Sequence, residues 1–171
     1  MADIRHSNLL QTGIPETKDA CLVLVKTEWN AAVVDELEKG CRVALEANHV
    51  QKIITLAVPG AVEIPFAIKQ YWELNKKQAK KKCRPDAFIA LGCVIRGDTP
   101  HFDYVCRSVT DGITRLNLDL PVPVVFGVLT VDNEAQALER IGGKQGHKGE
   151  EAAITALKMI GLVKSIKKSS R

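Results

Sequence analysis

Apolar residues form four uninterrupted runs along the chain, and helical spacing of apolar residues follows each run. The four runs cover residues 21–25, 53–58, 87–91 and 122–129. Strands that are covered on both faces carry continuous apolar runs, whereas strands with one face in water alternate between apolar and polar residues. The pattern therefore predicts an α/β protein with a four-stranded parallel sheet and helices on both faces.

The spacing of apolar residues between these runs predicts the helices. After the first run, Asn30 is a candidate N-cap, and apolar residues recur at Val33, Leu37 and Cys41 until the pattern ends near Asn48. Later helices are predicted over residues 65–74, 102–118, 133–140 and 149–162. A break at Gly142-Gly143 separates the last two helices.

The carboxyl ends of the strands predict where a ligand binds, because the crevice of a parallel sheet lies beyond those ends. The segments that follow the first three strands are 27–30, 59–63 and 93–101, and Phe126 lies on the fourth strand. These segments together are the candidate site.

The turn after the third strand has the most specific chemistry. Gly97 can adopt a positive φ or let a ligand approach the backbone, and Asp98 and Thr99 can cap the helix that follows. The first free N–H groups of a helix attract an anion. We therefore expect His101 to lie beside a phosphate or carboxylate site.

Four strands leave two edges of the sheet unpaired, and an unpaired edge attracts another chain. The N-terminal arm, residues 1–18, precedes the first core strand and could add a strand to the sheet of a neighbouring subunit. A chain of 171 residues is most simply one domain, 1–171, with a flexible basic tail at 164–171. We therefore expect a single domain that forms a homo-oligomer.

Composition argues against several classes of protein. Hydrophobic residues make up 46% and charged residues 26%, and no apolar run approaches the ~20 residues that cross a bilayer. The start of the chain lacks the apolar segment of a secretory signal, so a cytoplasmic location is expected. The net charge of +4 is concentrated at 76–84 and 164–171 without interleaved aromatic residues, which argues against nucleic-acid binding. Five cysteines without a C-x-x-C pair predict neither a disulfide framework nor a zinc ribbon.

Four segments resemble the 6,7-dimethyl-8-ribityllumazine synthase family: VPGAVEIP at 58–65, ALGCVIRGDTPHFDYV at 90–105, FGVLT at 126–130 and ALERIGGKQGHKGEEAA at 137–153. The resemblance implies a flavodoxin-like three-layer αβα sandwich, assembled as pentamers with active sites between adjacent subunits. It also implies the condensation of 5-amino-6-(D-ribitylamino)uracil with 3,4-dihydroxy-2-butanone 4-phosphate. The products would be the lumazine, phosphate and water, and the reaction would need no cofactor and no metal.

The resemblance further implies roles for individual residues. His101 would move protons, a task that suits an imidazole because it changes protonation readily near neutrality. The other matching positions would bind the substrates: Trp29, Asn30, Ala61, Val62, Glu63, Cys93, Val94, Ile95, Asp98, Thr99, Phe126, Arg140 and Lys148. Trp29 would stack on the pyrimidine, and Arg140 would reach the phosphate from a neighbouring subunit.

Simpler explanations stay open for several of these residues. Trp29 can be a buried core residue, Asn30 a helix cap, and Arg140 an exposed residue near a helix end. Cys93 is more simply a small buried hydrophobic residue than a nucleophile. Asp98 departs from the small residue that is common at this position in the family, and its carboxylate would be unfavourable beside a phosphate unless it points away.

Two other functions stay open as well: a non-catalytic flavin-binding or cage-forming paralogue, and the archaeal type of riboflavin synthase. The presence of His101 and Arg140 favours the enzyme that acts on a phosphorylated substrate.

Residues 142–146 fit the short break found in relatives that close into shells, so we expect sixty subunits rather than a free pentamer, with riboflavin synthase as a candidate partner. The remaining histidines are expected at the surface: His6, His49 and His147.

Overall fold

The computed structural model contains the predicted parallel sheet. The structure describes residues 8–10, 13–15, 17, 19–77 and 84–170. Its four parallel strands are β1 (Cys21–Thr27), β2 (Lys52–Val58), β3 (Ala87–Ile95) and β4 (Val124–Val131). Their order, β2-β1-β3-β4, is the flavodoxin-like order, in which the chain reverses direction across the sheet between β1 and β3. The four-strand prediction is confirmed.

The helices follow the strands as the spacing predicted. The described ranges contain five α-helices: α1 (Ala31–Ala47), α2 (Ile64–Asn75), α3 (His101–Asp119), α4 (Glu134–Leu138) and α5 (Lys148–Ser169). A 3-10 turn, Ala61–Glu63, precedes α2. Residues 164–169 of the basic tail form the last turns of α5, with exposed side chains. None of the helices in the described ranges is long and apolar enough to cross a membrane.

The segment between α4 and α5 differs from the prediction of a simple break. It forms an antiparallel hairpin of β5 (Ile141–Gly143) and β6 (Gly146–His147). The hairpin requires positive φ at Gly142 (114°) and Gly146 (78°), a region that glycine enters without steric cost. The two glycines therefore reverse the chain instead of only ending a helix.

Alternate residues of the central strands face two separate cores. Leu22 and Leu24 of β1 point into the core under α1 and α5, whereas Val23 and Val25 point into the core under α2 and α3. All four side chains are fully buried. Because both faces of the sheet are covered by helices, the strands are apolar throughout, and the molecule is a three-layer αβα sandwich.

The N-terminal residues that the structure describes pack on their own chain. Leu9 and Ile14 pack against the core under α1 and α5, and the ammonium of Lys158 donates a hydrogen bond to the carbonyl of Leu9. Much of the arm predicted to reach a neighbouring subunit lies outside the described residues, as does most of the basic segment 76–84.

The cysteines differ from the prediction in one respect. Cys21, at the start of β1, is disulfide-bonded, whereas Cys41, Cys93 and Cys106 are free.

Candidate functional site

A cavity of about 500 Å³ lies beyond the carboxyl ends of β1, β2 and β3. Nine of the residues singled out in the sequence line it: Trp29, Asn30, Ala61, Val62, Glu63, Cys93, Val94, Ile95 and His101. They come from three separate segments of the chain, which the parallel sheet brings to one edge. The structure thus places the predicted segments around one common space.

The loop after β1 presents Trp29 to this cavity. The N–H of Trp29 donates to the carbonyl of Pro59 at 3.2 Å, and the hydroxyl of Thr27 donates to the carbonyl of Trp29 at 3.2 Å. These two bonds hold the main chain while the indole side chain projects outward, so that Trp29 is 73% exposed. The explanation of Trp29 as a buried core residue is therefore wrong.

Asn30 joins the first loop to β3. Its φ of 56° lies in the left-handed region, which asparagine tolerates better than most residues. Its side chain makes no cap hydrogen bond to α1; the amide nitrogen instead donates to the carbonyl of Cys93 at 2.8 Å. Asn30 does occupy the N-cap position of α1, as predicted, but its side chain does not cap the helix, because the amide reaches a partner 63 residues away in sequence.

The loop after β2 forms the opposite wall. Gly60 is extended, and a Cβ at this position would lie 3.0 Å from a carboxylate oxygen of Glu63 and 3.6 Å from the indole of Trp29. Gly60 thus lies next to both the carboxylate of Glu63 and the indole of Trp29. Glu63 makes no cap hydrogen bond to α2, so its carboxylate stays at the rim of the cavity.

The end of β3 forms the floor of the cavity. Cys93 is buried, whereas Val94 and Ile95 are half-buried. Burial raises the pKa of the Cys93 thiol to about 11, so the thiol is protonated near neutrality. A protonated thiol is a weak nucleophile, and this supports the interpretation of Cys93 as a small lining residue.

The turn from residue 97 to residue 100 differs from the prediction in its local geometry. Gly97 does not have a positive φ, and the space around it is open. The cap position of α3 is Pro100, and neither Asp98 nor Thr99 caps the helix through its side chain. The N–H of Asp103 donates to the carbonyl of Pro100 at 3.0 Å, whereas the N–H groups of His101 and Phe102 at the start of α3 remain available to a ligand. His101, which lines the cavity, is the first residue of that helix and is exposed.

Arg96 is a structural residue of this region that sequence reasoning missed. Its Nε donates to Asp132 at 3.0 Å, and its Nη1 lies 3.4 Å from a carboxylate oxygen of Asp103. The guanidinium also stacks over Phe102, with its central carbon 4.1 Å from the ring centroid. Arg96 thereby ties the end of β3 to the first turn of α3 and to the loop after β4.

Five of the predicted residues do not line the cavity: Asp98, Thr99, Phe126, Arg140 and Lys148. Phe126 and Lys148 line a second groove, of about 560 Å³, along the open edge of β4. The ammonium of the buried Lys148 lies 2.6 and 2.8 Å from the carboxylate oxygens of Glu151. Arg140 follows α4, and its Nη1 donates to the carbonyl of Gln136 at 2.6 Å. Within one chain, then, nine of the predicted residues share the cavity, Phe126 and Lys148 share the second groove, and Arg140, Asp98 and Thr99 line neither.

Comparison with known proteins gives one family. The family model described as 6,7-dimethyl-8-ribityllumazine synthase matches residues 19–164. A relative of that name from Bdellovibrio bacteriovorus is 50% identical over 143 residues, which is 84% of this chain and 75% of the relative. A second, from Porphyromonas gingivalis, is 48% identical over 151 residues, covering 87% of this chain and 89% of the relative. A third, from Parabacteroides distasonis, is 43% identical over 149 residues, covering 86% and 88%.

Proposed function

We propose, because the chain belongs to the 6,7-dimethyl-8-ribityllumazine synthase family, that it catalyses the formation of 6,7-dimethyl-8-ribityllumazine in riboflavin biosynthesis. The substrates are 5-amino-6-(D-ribitylamino)uracil and 3,4-dihydroxy-2-butanone 4-phosphate, and the other products are phosphate and water. The observation that carries the proposal is the cavity in which Trp29, Glu63 and His101 meet. Condensation and elimination move protons without net electron transfer, so the proposed reaction uses neither a redox cofactor nor a metal.

The pyrimidine is proposed to lie between Trp29 and the end of β3. An exposed indole at the rim of a cavity offers a flat apolar face, and stacking on such a face suits a heterocycle. The main chain at residues 93–95 supplies amide and carbonyl groups for the edge of the ring. Ala61, Val62 and Glu63 form the wall that would hold the ribityl chain and the remaining polar groups.

His101 is proposed as the catalytic residue. Attack of the pyrimidine amine on the ketone gives an imine and one water, after which phosphate is eliminated and the ribitylamino nitrogen attacks the remaining carbonyl, closing the second ring with loss of a second water. Each step takes a proton from one atom and gives a proton to another, and one exposed imidazole at the cavity can serve in both directions.

The phosphate is proposed to bind at the start of α3. The N–H groups of the first helical turn carry partial positive charge, and Asp98 and Thr99 would contribute through their main chain. The Asp98 carboxylate would point away from the phosphate. Arg140 would reach the phosphate from a neighbouring subunit. Lys148 would supply a second basic group near the site, and the main chain of Phe126 would address the uracil.

Assembly is proposed to create this shared site. The open edge of β4, with its groove, is a surface on which another subunit can pack. Large apolar side chains are exposed on α2 and α3, namely Phe66 (69%), Leu74 (75%), Tyr104 (70%) and Leu118 (83%). Contacts between subunits would remove them from water. We propose a single cytoplasmic domain, residues 1–171, that forms pentamers and sixty-subunit shells, with riboflavin synthase as a partner.

The test of this function is turnover with both substrates. Purified protein should produce lumazine absorbance and release phosphate in equal amounts, and His101→Ala should lower kcat while light scattering shows unchanged particle mass. The dihydroxybutanone without its phosphate serves as the control substrate and should give little product. Binding of the pyrimidine with no product from the full substrate pair would instead support a non-catalytic binding protein.

A further inference from the structure

The imidazole of His147 occupies the place where α1 meets the hairpin. His147 is the last residue of β6, and its ring lies over Gly40 in the middle of α1. A Cβ added at Gly40 would overlap the imidazole ring, and one added at Gly142 would lie 3.8 Å from its Cδ2. Only a residue without a side chain at position 40 leaves room for this ring. His147, expected at the surface, is thus packed against a helix.

Packing rather than hydrogen bonding holds this ring. The Nδ1 atom of His147 is buried and has no hydrogen-bond partner among the described residues. An unpartnered polar atom does not stabilise the contact, because its interaction with water is lost without replacement. The contact between His147 and Gly40 therefore depends on the shape of the imidazole ring and not on its nitrogen atoms.

The main chain of the hairpin connects His147 to Arg140. His147 pairs with Ile141 across the hairpin, and Arg140 directly precedes Ile141. The N–H of Lys148 donates to the carbonyl of Arg140 at 2.8 Å, which closes the base of the hairpin. The main chain of Arg140 is thus held by the two residues 147 and 148.

A second close approach keeps α5 in register with α1 at the same point. Gly149, in the first turn of α5, lies so near the main chain of α1 that a Cβ would overlap the carbonyl oxygen of Leu37. Leu37 and Gly40 are neighbours on one face of α1. The hairpin and the start of α5 are therefore seated on the main chain of a helix rather than on a loop.

We infer that Gly40 and His147 form a positioning pair that seats the hairpin on α1 and thereby aims the guanidinium of Arg140. The inference rests on the proposed function, in which Arg140 binds the substrate phosphate in a neighbouring subunit. His147 touches no substrate in this account. It acts through Arg140, because its ring sets the place of the main chain from which that side chain extends.

The experiment is a double-mutant cycle read in steady-state kinetics. His147→Ala should raise KM for the butanone phosphate about tenfold, with kcat lowered by less than about threefold, because binding of the phosphate is weakened more than proton transfer. His147→Phe keeps a planar ring without the nitrogens and should restore KM to within about threefold of the original value. Gly40→Ala should raise KM as His147→Ala does, because its methyl group displaces the ring. Light scattering of every variant checks that the assembly persists.

Arg140→Ala separates the inference from the proposed function. If His147 acts through Arg140, His147→Ala should change KM by less than about twofold when Arg140 is already alanine. The positioning role would be overturned if the effects of the two substitutions on KM were additive. It would also be overturned if Arg140→Ala raised KM while His147→Ala left KM unchanged. An unchanged KM in Arg140→Ala itself would instead refute the proposed phosphate site.

Discussion

Removing the indole of Trp29 should weaken pyrimidine binding far more than it weakens the fold. Trp29 is 73% exposed, so about a quarter of its side chain is buried by folding. With about 200 Å² for a tryptophan side chain, the buried part is about 50 Å², which corresponds to about 1.3 kcal/mol. Stacking of an aromatic side chain on a base contributes about 1–3 kcal/mol. Trp29→Ala should therefore raise the Kd of the pyrimidine about 5–150-fold.

The assay combines calorimetric titration of the pyrimidine substrate with urea unfolding of the same variant. Trp29→Phe is the matched control, because it keeps a flat ring and should lose less than about tenfold in affinity. A Kd unchanged in Trp29→Ala would refute the stacking role. A loss of more than about 3 kcal/mol in the free energy of unfolding would show that the indole belongs to the core after all.

Three further predictions concern stability and the cavity floor. Burial alone would raise the pKa of Glu38, yet hydrogen bonds from Lys26 and Arg42 lower it from 4.5 to about 2. This carboxylate therefore stabilises the fold above pH 4.5, and its contribution is lost as the pH falls toward 2. In urea unfolding, Glu38→Gln should lose less stability between pH 4.5 and pH 2 than the unmutated protein does. Gly149→Ala should lower the free energy of unfolding by about 1–3 kcal/mol in the same assay, because its methyl group would overlap the main chain of α1. Cys93→Ala should retain kcat to within about threefold, and a larger loss would contradict the account of an un-ionised lining thiol.

Local patterns were sufficient to predict the layers of the sandwich and the edge that forms the cavity. Leu24 and Val25 are both apolar because neighbouring residues of β1 face different cores, and the run 21–25 carries that information on its own. Since parallel strands end at one edge, the segments 61–63 and 93–95 could be placed together before their contacts were known.

Contacts between distant segments were not predictable in the same way. Asparagine is a common capping residue, but the side-chain amide of Asn30 donates to the carbonyl of Cys93 instead. Only the folded sheet brings these two residues within hydrogen-bond distance. The same holds for Arg96, whose partner Asp132 follows the next strand, and for the ring of His147 over Gly40. Residue type shows which groups can bond, whereas tertiary packing decides which of the available partners they meet.

A subunit-mixing measurement tests most directly the claim that two neighbouring subunits share each active site. His101→Ala and Arg140→Ala protein, each impaired alone, would be unfolded together in equal amounts and reassembled. If His101 and Arg140 in each site come from different subunits, about a quarter of the sites regain both groups, and activity should rise to about a quarter of the unmutated level. Activity that stays at the mean of the two separate variants, in particles of normal mass, would contradict a shared site.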